Sequence, residues 1–175
     1  FGGAWLPAEE AGREWADRFK IMMIKRLGPS LIPAEVVVPL ENLGTFLADT
    51  EKKIHHLLVK EGVLVRGEKG QSPEVAILGF IPHDERRFGF TPAYALSLSF
   101  LKAAKRAGGR AYATGLYFRD ERDALLGRER VERLNRLKAA VDPRGLMNPD
   151  KVLGRPGLLG LLMRTASRLE PIGRF

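Results

Sequence analysis

The chain has 175 residues, of which 45% are hydrophobic and 29% charged, a composition that suits one globular domain with a hydrophobic core. It contains no cysteine, which excludes disulfides, thiolate metal sites and cysteine nucleophiles, and no run of about 18 apolar residues that would predict a transmembrane helix. The net charge is +8, and the excess lies in residues 101–175, where 17 Lys and Arg stand against 8 Asp and Glu. This asymmetry favours an anionic partner, cofactor or surface near the C-terminal part of the chain.

Helix and strand signals alternate in the first part of the chain. Apolar residues at helical spacing predict a helix over residues 8–27, with Trp15 and Met22 on one apolar stripe. A β-branched run predicts a short buried strand over residues 35–39. Helical spacing then returns over residues 41–60 and predicts a second helix that packs through one apolar face.

The order of elements in the rest of the chain predicts the fold class. We expect strands at residues 63–65 and 74–81, a loop at 82–92 and a helix at 93–107. A further strand at 110–118 and a basic helix at 121–141 complete the order. In the last helix Leu137 and Val141 are expected to point inward. The whole order predicts an α+β fold of the ferredoxin-like, split β-α-β type. Its antiparallel sheet would carry helices on one face, with extra N- and C-terminal helices, and leave the other face available.

The strongest local signal follows the last helix, where an Asp-Pro-Arg-Gly turn leads into an Asn-Pro-Asp-Lys run. Because Pro149 disfavours the α conformation in the residue before it, we expect Asn148 to be extended. The Asn148 amide both donates and accepts hydrogen bonds, which suits the edge of a heteroaromatic ring, and Lys151 adds a positive charge nearby. The residues alone also allow a plain helix stop built from turn residues.

This segment resembles the C-terminal domain of FAD-linked oxidases, the group that holds glycolate oxidase large subunits and D-lactate dehydrogenases. Residues 138–152 are similar to the family's closing pattern K-x-x-x-D-P-x-G-x-x-N-P-G-K-V, with Asp150 in place of the usual glycine. Residues 108–116 are similar to its G-G-x-x-Y-x-T-G-L variant, and the resemblance spans roughly residues 8–153. The family's paired-histidine run H-x-G-x-G-N-x-H is missing, so we predict no metal site.

The resemblance implies that the chain is the substrate and cap domain of a flavin-dependent oxidoreductase. The enzyme would oxidise a small hydroxy acid or alcohol by hydride transfer to FAD. A separate N-terminal domain would bind most of the FAD, since this chain has no Gly-rich loop of the kind that cradles a pyrophosphate. Because the chain begins at Phe1, we expect it to be a piece of a longer polypeptide and inactive alone.

Candidate site residues follow from the resemblance and from side-chain chemistry. The cofactor contacts are expected at Asn148, Lys151 and Thr114. The catalytic candidates are His83, which would take the substrate proton, and Tyr112 and Tyr117, one of which would donate a hydrogen bond to a substrate oxygen. The two tyrosines are five positions apart on the predicted fourth strand, so they would point to opposite faces. Each candidate also has a structural alternative: a solvated loop position for His83, and packing for the tyrosines.

The last 22 residues of the chain, 154–175, are set apart from the domain at residues 1–153 by glycine and proline. They combine apolar residues with four arginines, so the tail would pack on its own domain, dock on a partner or lie on an anionic membrane surface. The resemblance implies an iron–sulfur electron-transfer protein as such a partner. The expected location is cytoplasmic, with peripheral contact to the inner membrane as an alternative.

A different class of function is also compatible with the predicted fold. A ferredoxin-like domain with a basic C-terminal part would also suit a nucleic-acid-binding or small-molecule-binding module without catalysis. However, the predicted strands lack the aromatic pattern that such folds use to stack RNA bases, so no nucleic acid is expected as a partner. The Asn-Pro-x-Lys segment is the feature that favours the enzyme.

Overall fold

The computed structural model describes residues 7–17, 20–27, 30–54, 59–65, 72–83, 90–115, 118–149 and 151–153. The helices are α1 (Ala8–Asp17), α2 (Leu43–Lys53), α3 (Phe90–Arg106), α4 (Arg122–Leu126) and α5 (Arg128–Val141). The strands are β1 (Ser30–Pro39), β2 (Val59–Val65), β3 (Glu74–His83) and β4 (Arg110–Ala111). Three short 3₁₀ helices cover Lys20–Leu27, Leu40–Asn42 and Arg119–Glu121. No helix in these ranges is long and apolar enough to cross a lipid bilayer. Tyr117 and the tail at 154–175 lie outside the described residues.

The strands form one sheet in the order β2-β3-β1-β4, and every neighbouring pair is antiparallel. The two inner strands, β1 and β3, pair along their whole length, from Ser30 opposite His83 to Pro39 opposite Glu74. This order and the alternation of helices with strands are those of the split β-α-β arrangement. The predicted α+β, ferredoxin-like class is therefore confirmed.

One face of the sheet packs against α2 and α3 and holds the hydrophobic core. On β1, alternate residues from Ile32 to Val38 are buried in this core, as the twofold periodicity of a strand requires. Phe46 of α2 meets Phe100 of α3 edge to face, with ring centroids 5.0 Å apart and an interplanar angle of 76°. Both rings have no exposed surface, so they join the two helices above the sheet.

The opposite side of the sheet, which we call the second face, is formed by the residues that alternate with the core positions. Its members on the described strands include Leu31, Pro33, Glu35 and Val37 of β1, Glu74, Ala76, Leu78 and Phe80 of β3, and Arg110 of β4. Tyr112 continues the β4 ladder, because its N–H donates to the Glu35 carbonyl at 3.0 Å. Ala111 is buried in the core, so Tyr112 belongs to the second face.

The N-terminal helix is shorter and more exposed than its pattern predicts. The helix predicted over residues 8–27 is α1 followed by the 3₁₀ helix Lys20–Leu27, and no residue of α1 is buried. Trp15 is 69% exposed and Met22 48% exposed, so neither residue of the apolar stripe lies in the core. Helical spacing shows that apolar residues share a side, but it does not show that another element covers that side.

Two later elements also differ from their predictions. The strand predicted over residues 110–118 is reduced to β4, and the helix predicted over residues 121–141 is divided into α4 and α5. The break falls at Gly127, whose φ of +78° leaves the helical region and is open to glycine at little strain. The helix predicted over residues 41–60 ends at Lys53, since the chain enters β2 at Val59.

Strand β1 begins before its predicted start. It includes Pro33, a residue whose missing N–H argues against an inner strand. Pro33 nevertheless pairs with Phe80 in the ladder between β1 and β3. Ile32 and Ala34, on either side of Pro33, are buried in the core. This packing holds β1 in register, so the ladder continues through Pro33.

The turn between α3 and β4 depends on a close approach of backbones at Gly109. A Cβ at this position would lie 2.3 Å from the Val37 carbonyl oxygen and 3.0 Å from the Ala104 carbonyl oxygen. Gly109 also donates its N–H to the Ala104 carbonyl at 2.8 Å. Only glycine therefore lets the end of α3 lie directly against β1.

Replacing Phe46 by alanine should destabilise the fold by about 3–5 kcal/mol, because it leaves a cavity beside Phe100 in a fully buried position. Denaturant unfolding followed by circular dichroism measures the change in free energy. The matched control is Leu64→Ala on β2, where the side chain is 54% exposed and we expect a change below about 1 kcal/mol. Equal losses in both variants would contradict the placement of the core.

Candidate functional site

A groove of about 450 Å³ lies between α5 and the segment that follows it. It is lined by Leu134, Leu137, Lys138, Val141, Asp142, Met147, Asn148, Lys151, Val152 and Leu153. The walls are mostly aliphatic, and the polar groups come from a few side chains at the turn. A concave apolar surface with a small number of polar groups is typical of a ligand or cofactor contact.

The floor of this groove is fixed by the carboxylate of Asp142, which is buried at the end of α5. Its Oδ1 accepts the N–H of Leu146 at 2.9 Å, and its Oδ2 accepts the N–H of Met147 at 2.9 Å. Lys138 Nζ donates to Oδ2 at 2.5 Å and to the carbonyl oxygen of Met147 at 2.7 Å. One carboxylate and one ammonium thus hold the whole turn against the last turn of the helix.

Electrostatics at the turn agree with this geometry. The hydrogen bond from Lys138 and the backbone hydrogen bond from Met147 lower the pKa of Asp142 from 3.8 to about 2. The far end of the segment is tied to the rest of the domain, because Arg122 Nη1 donates to the Val152 carbonyl at 3.1 Å. The segment between these two anchors carries Asn148 and Lys151.

Asn148 has a left-handed backbone, with a φ of +47°. The other described residues with a positive φ are glycines. The predicted extended conformation is therefore wrong. Proline after Asn148 disfavours the right-handed α region, and asparagine is one of the few residues that enter the left-handed region at modest strain. Asn148 and Lys151 are both exposed and both line the groove, so the structure brings these two predicted cofactor contacts together.

The other described candidates do not line the groove. Tyr112 is 57% exposed and follows β4, and Thr114 is half-exposed just beyond it. The backbone of His83 ends β3 opposite Ser30, five positions along β1 from Glu35, the neighbour of Tyr112. At the usual rise of a strand this separates the backbones of His83 and Tyr112 by about 16 Å along the strand direction, and β1 lies between them, so the structure does not bring these two together. The side chain of His83 lies outside the described part.

The apolar walls of the groove are the residues that the sequence assigned to the core. Leu137 is 58% exposed and Val141 66% exposed, so their predicted inward orientation is wrong. Only Val131, near the start of α5, is buried. The sequence contained one signal for this outcome: the apolar stripe of α5 continues into Leu146 and Met147 of the turn, beyond the helix itself.

Asp142 is expected to stabilise the turn above its ordinary pKa of 3.8 and to lose that contribution as the pH falls towards about 2. The sign follows because the folded state depresses this pKa, so the unfolded chain binds the proton more tightly. Replacing Asp142 by asparagine should abolish this acid-dependent step. At neutral pH it should also speed amide hydrogen exchange at Leu146 and Met147, which NMR measures residue by residue.

Glu129→Gln is the control, since Glu129 is an exposed carboxylate in the first turn of α5 and lies outside the turn at Asp142. This variant should leave both amide exchange rates at their original values. Unchanged exchange in Asp142→Asn would show that the carboxylate does not fix the groove.

Comparison with known families gives a match over part of the chain. Residues 91–152 match the family model of FAD linked oxidases, C-terminal domain. The matched segment begins in α3, contains β4, α4 and α5, and ends at Val152, so it includes the Asp142 turn with Asn148 and Lys151. The family implies FAD as the cofactor and an N-terminal FAD-binding domain as the partner. The match supports the resemblance seen in the sequence: residues 91–152 are similar to the C-terminal domain of FAD-linked oxidases.

Proposed function

We propose that this chain is the substrate and cap domain of a flavin-dependent oxidoreductase and that the groove beside α5 contacts the flavin ring. The proposal is carried by one observation: Asn148 and Lys151 line the same groove within the segment that matches the family. When bound, the flavin would accept a hydride from the carbon of a small alcohol or hydroxy acid. The residues of this chain would orient the ring and exclude water from it.

The groove fits the ring part of FAD. Leu137, Val141 and Met147 offer an apolar wall for a flat aromatic system, and the Asn148 amide offers a donor and an acceptor to its polar edge. No described residue hydrogen-bonds this amide or forms an ion pair with Lys151. The ammonium of Lys151 would place a positive charge beside the ring, which favours its reduced, more negative form.

The described residues do not fit the phosphate part of FAD. None of the described loops is a glycine-rich turn that opens a helix with several free backbone N–H groups, which is how proteins cradle a pyrophosphate. We therefore propose that the N-terminal domain holds the phosphates and the adenosine. The groove of this chain would close over the ring from outside, which also covers Leu137 and Val141.

The chain alone should not bind FAD tightly, because it offers a contact for the ring and none for the phosphates. Purified chain titrated into FAD should leave the flavin fluorescence unchanged at equimolar concentration. Stoichiometric flavin in the purified chain would contradict the proposal that the N-terminal domain binds the phosphates and the adenosine.

In the enzyme that joins this chain to its FAD-binding domain, Asn148→Ala and Lys151→Ala should each slow reduction of the flavin or weaken its retention. Loss of one hydrogen bond or one nearby charge corresponds to a change of about 3- to 30-fold. Stopped-flow absorbance of the flavin measures the rate, and released flavin measures retention.

Arg144→Ala is the matched control for charge, because Arg144 lies exposed in the same turn but does not line the groove. It should leave both quantities unchanged. If Asn148→Ala and Lys151→Ala behave like this control, the groove does not contact the flavin.

A further inference from the structure

The ion pair between Glu74 and Arg110 joins two strands that are not neighbours. Glu74 lies on β3, Arg110 lies on β4, and β1 separates these strands in the sheet. Arg110 Nη2 is 2.8 Å from Glu74 Oε2, and Arg110 Nη1 donates to Oε1, so the contact is two-pronged. Because neighbouring strands lie about 4.8 Å apart, the pair spans about 10 Å of the second face. It therefore ties β4 to the sheet across β1.

The residue of β1 that lies beneath this ion pair is Val37. Register places Arg110 directly opposite Val37 and places Glu74 opposite Pro39, two positions further along β1. These side chains all belong to the second face, because the residues that alternate with them point into the core. Val37 is nevertheless only 4% exposed, whereas Tyr112 on the same face is 57% exposed. The ion pair crosses β1 at this point and contributes to the cover of Val37.

Strand β4 has few other attachments among the described residues. It consists of Arg110 and Ala111, and these pair with two residues of β1. Ala111 is its buried residue, and an alanine side chain buries little apolar area compared with the valines of β1. Beyond the strand, the N–H of Tyr112 donates to the Glu35 carbonyl at 3.0 Å. A two-pronged, charge-assisted contact is therefore a large part of what holds this strand.

Residues 110–115, which we call the strap, differ at their two ends. At the near end, Gly109 lies against the backbone of β1, where a Cβ would be 2.3 Å from the Val37 carbonyl oxygen. At the far end, Gly115 has a φ of +154°, and a Cβ there would meet no described atom within 4 Å. Glycine changes its backbone angles at little cost. The strap is thus fixed at Gly109, and Gly115 is suited to act as a hinge.

The charges of the pair favour its closed form at neutral pH. The hydrogen bond from Arg110 lowers the pKa of Glu74, and the hydrogen bond to Glu74 raises the pKa of Arg110, so both groups are ionised. The side chain of Arg110 is 52% exposed and that of Glu74 29% exposed. Water can therefore replace either partner when the contact opens, which makes the opening reversible at modest cost.

We propose that Glu74 and Arg110 form a latch that holds the strap on β1, and that the strap lifts from β1 as a unit when the latch opens, while the core stays folded. Opening uncovers Val37 and releases the Tyr112 N–H from Glu35. The latch also sets the position of the segment that carries Thr114. The inference does not rest on the proposed function, because the latch holds the strap whether or not Thr114 contacts a flavin.

Thiol labelling measures how often the strap opens. The chain contains no cysteine, so one introduced thiol is the only group that an aromatic disulfide reagent labels. Val37→Cys places this thiol beneath the latch, where labelling requires an opening of the strap. Leu64→Cys, at a position that is 54% exposed, gives the rate of an accessible thiol. We expect Val37→Cys to react much more slowly than Leu64→Cys.

Adding Glu74→Gln to Val37→Cys should speed labelling about 3- to 10-fold, the effect of losing one partly exposed, charge-assisted contact. In the chain without an introduced cysteine, Glu74→Gln should speed amide exchange at Tyr112 by a similar factor. The amides of the ladder between β1 and β3 should keep their rates. The reversed pair, Glu74→Arg with Arg110→Glu, should restore the Tyr112 rate, because the rescue requires the contact and not either residue alone.

Asp49→Asn is the matched control, since it breaks an ion pair of the same kind elsewhere in the domain. Arg106 of α3 donates two hydrogen bonds to Asp49 Oδ2 of α2, at 3.0 Å and 2.6 Å. The side chains of Arg106 and Asp49 are 47% and 23% exposed, close to the values for Arg110 and Glu74. This variant should leave the labelling of Val37→Cys and the exchange of Tyr112 unchanged.

The proposal is overturned if Glu74→Gln leaves labelling and Tyr112 exchange at the rates of the control. It is also overturned if the amides between β1 and β3 speed up by the same factor, because the pair would then stabilise the whole domain and not the strap. Equal labelling of Val37→Cys and Leu64→Cys in folded chains would show that nothing covers Val37. If Val37→Cys is not folded by circular dichroism, the exchange of Tyr112 in Glu74→Gln and in the reversed pair decides the outcome.

Discussion

Strand β1 faces the hydrophobic core on one side and forms the second face on the other, and the rest of the domain is arranged around this strand. Its core positions, from Ile32 to Val38, pack against α2 and α3, and its paired neighbours β3 and β4 extend the same surface. Because side chains alternate, every residue placed in the core fixes its neighbour on the second face. Glu35 is therefore held at the middle of that face by the packing of Ala34 and Val36, with no freedom to turn away.

The C-terminal segment is fixed by a different principle. It has little contact with the sheet. Hydrogen bonds accepted by the Asp142 carboxylate and donated by Lys138 hold it on α5 in place of apolar packing. Such a turn keeps a defined shape although Leu137, Val141 and Met147 around it remain exposed. Exposed aliphatic side chains that line one groove favour a surface that another group covers, and the family match implies an FAD-binding domain as a partner.

The fold class could be predicted from the sequence because the succession of helices and strands along the chain follows from the hydrophobic periodicity. That Asn148 and Lys151 line one groove was predictable because both lie within one short motif. The burial of the helix stripes was not predictable. Trp15 and Leu137 have helical spacing and are exposed, because spacing identifies a shared side and only the neighbouring elements decide whether it is covered. The left-handed backbone of Asn148 was missed because a following proline disfavours only the right-handed α region. The extended and the left-handed regions both stay open to asparagine at that position.

The environment of Glu35 was not predictable for a more general reason. In the sequence it is the first residue of a predicted strand, where a charged side chain is ordinary. Its surroundings arise only when β3 and β4 bring Leu78 and Tyr112 to its sides. Burial there raises the pKa of Glu35, whereas the hydrogen bond from Arg110 lowers the pKa of Glu74 on the same face. The neighbouring strands therefore decide whether a carboxyl on this face is partly buried or paired, and the sequence of β1 alone does not.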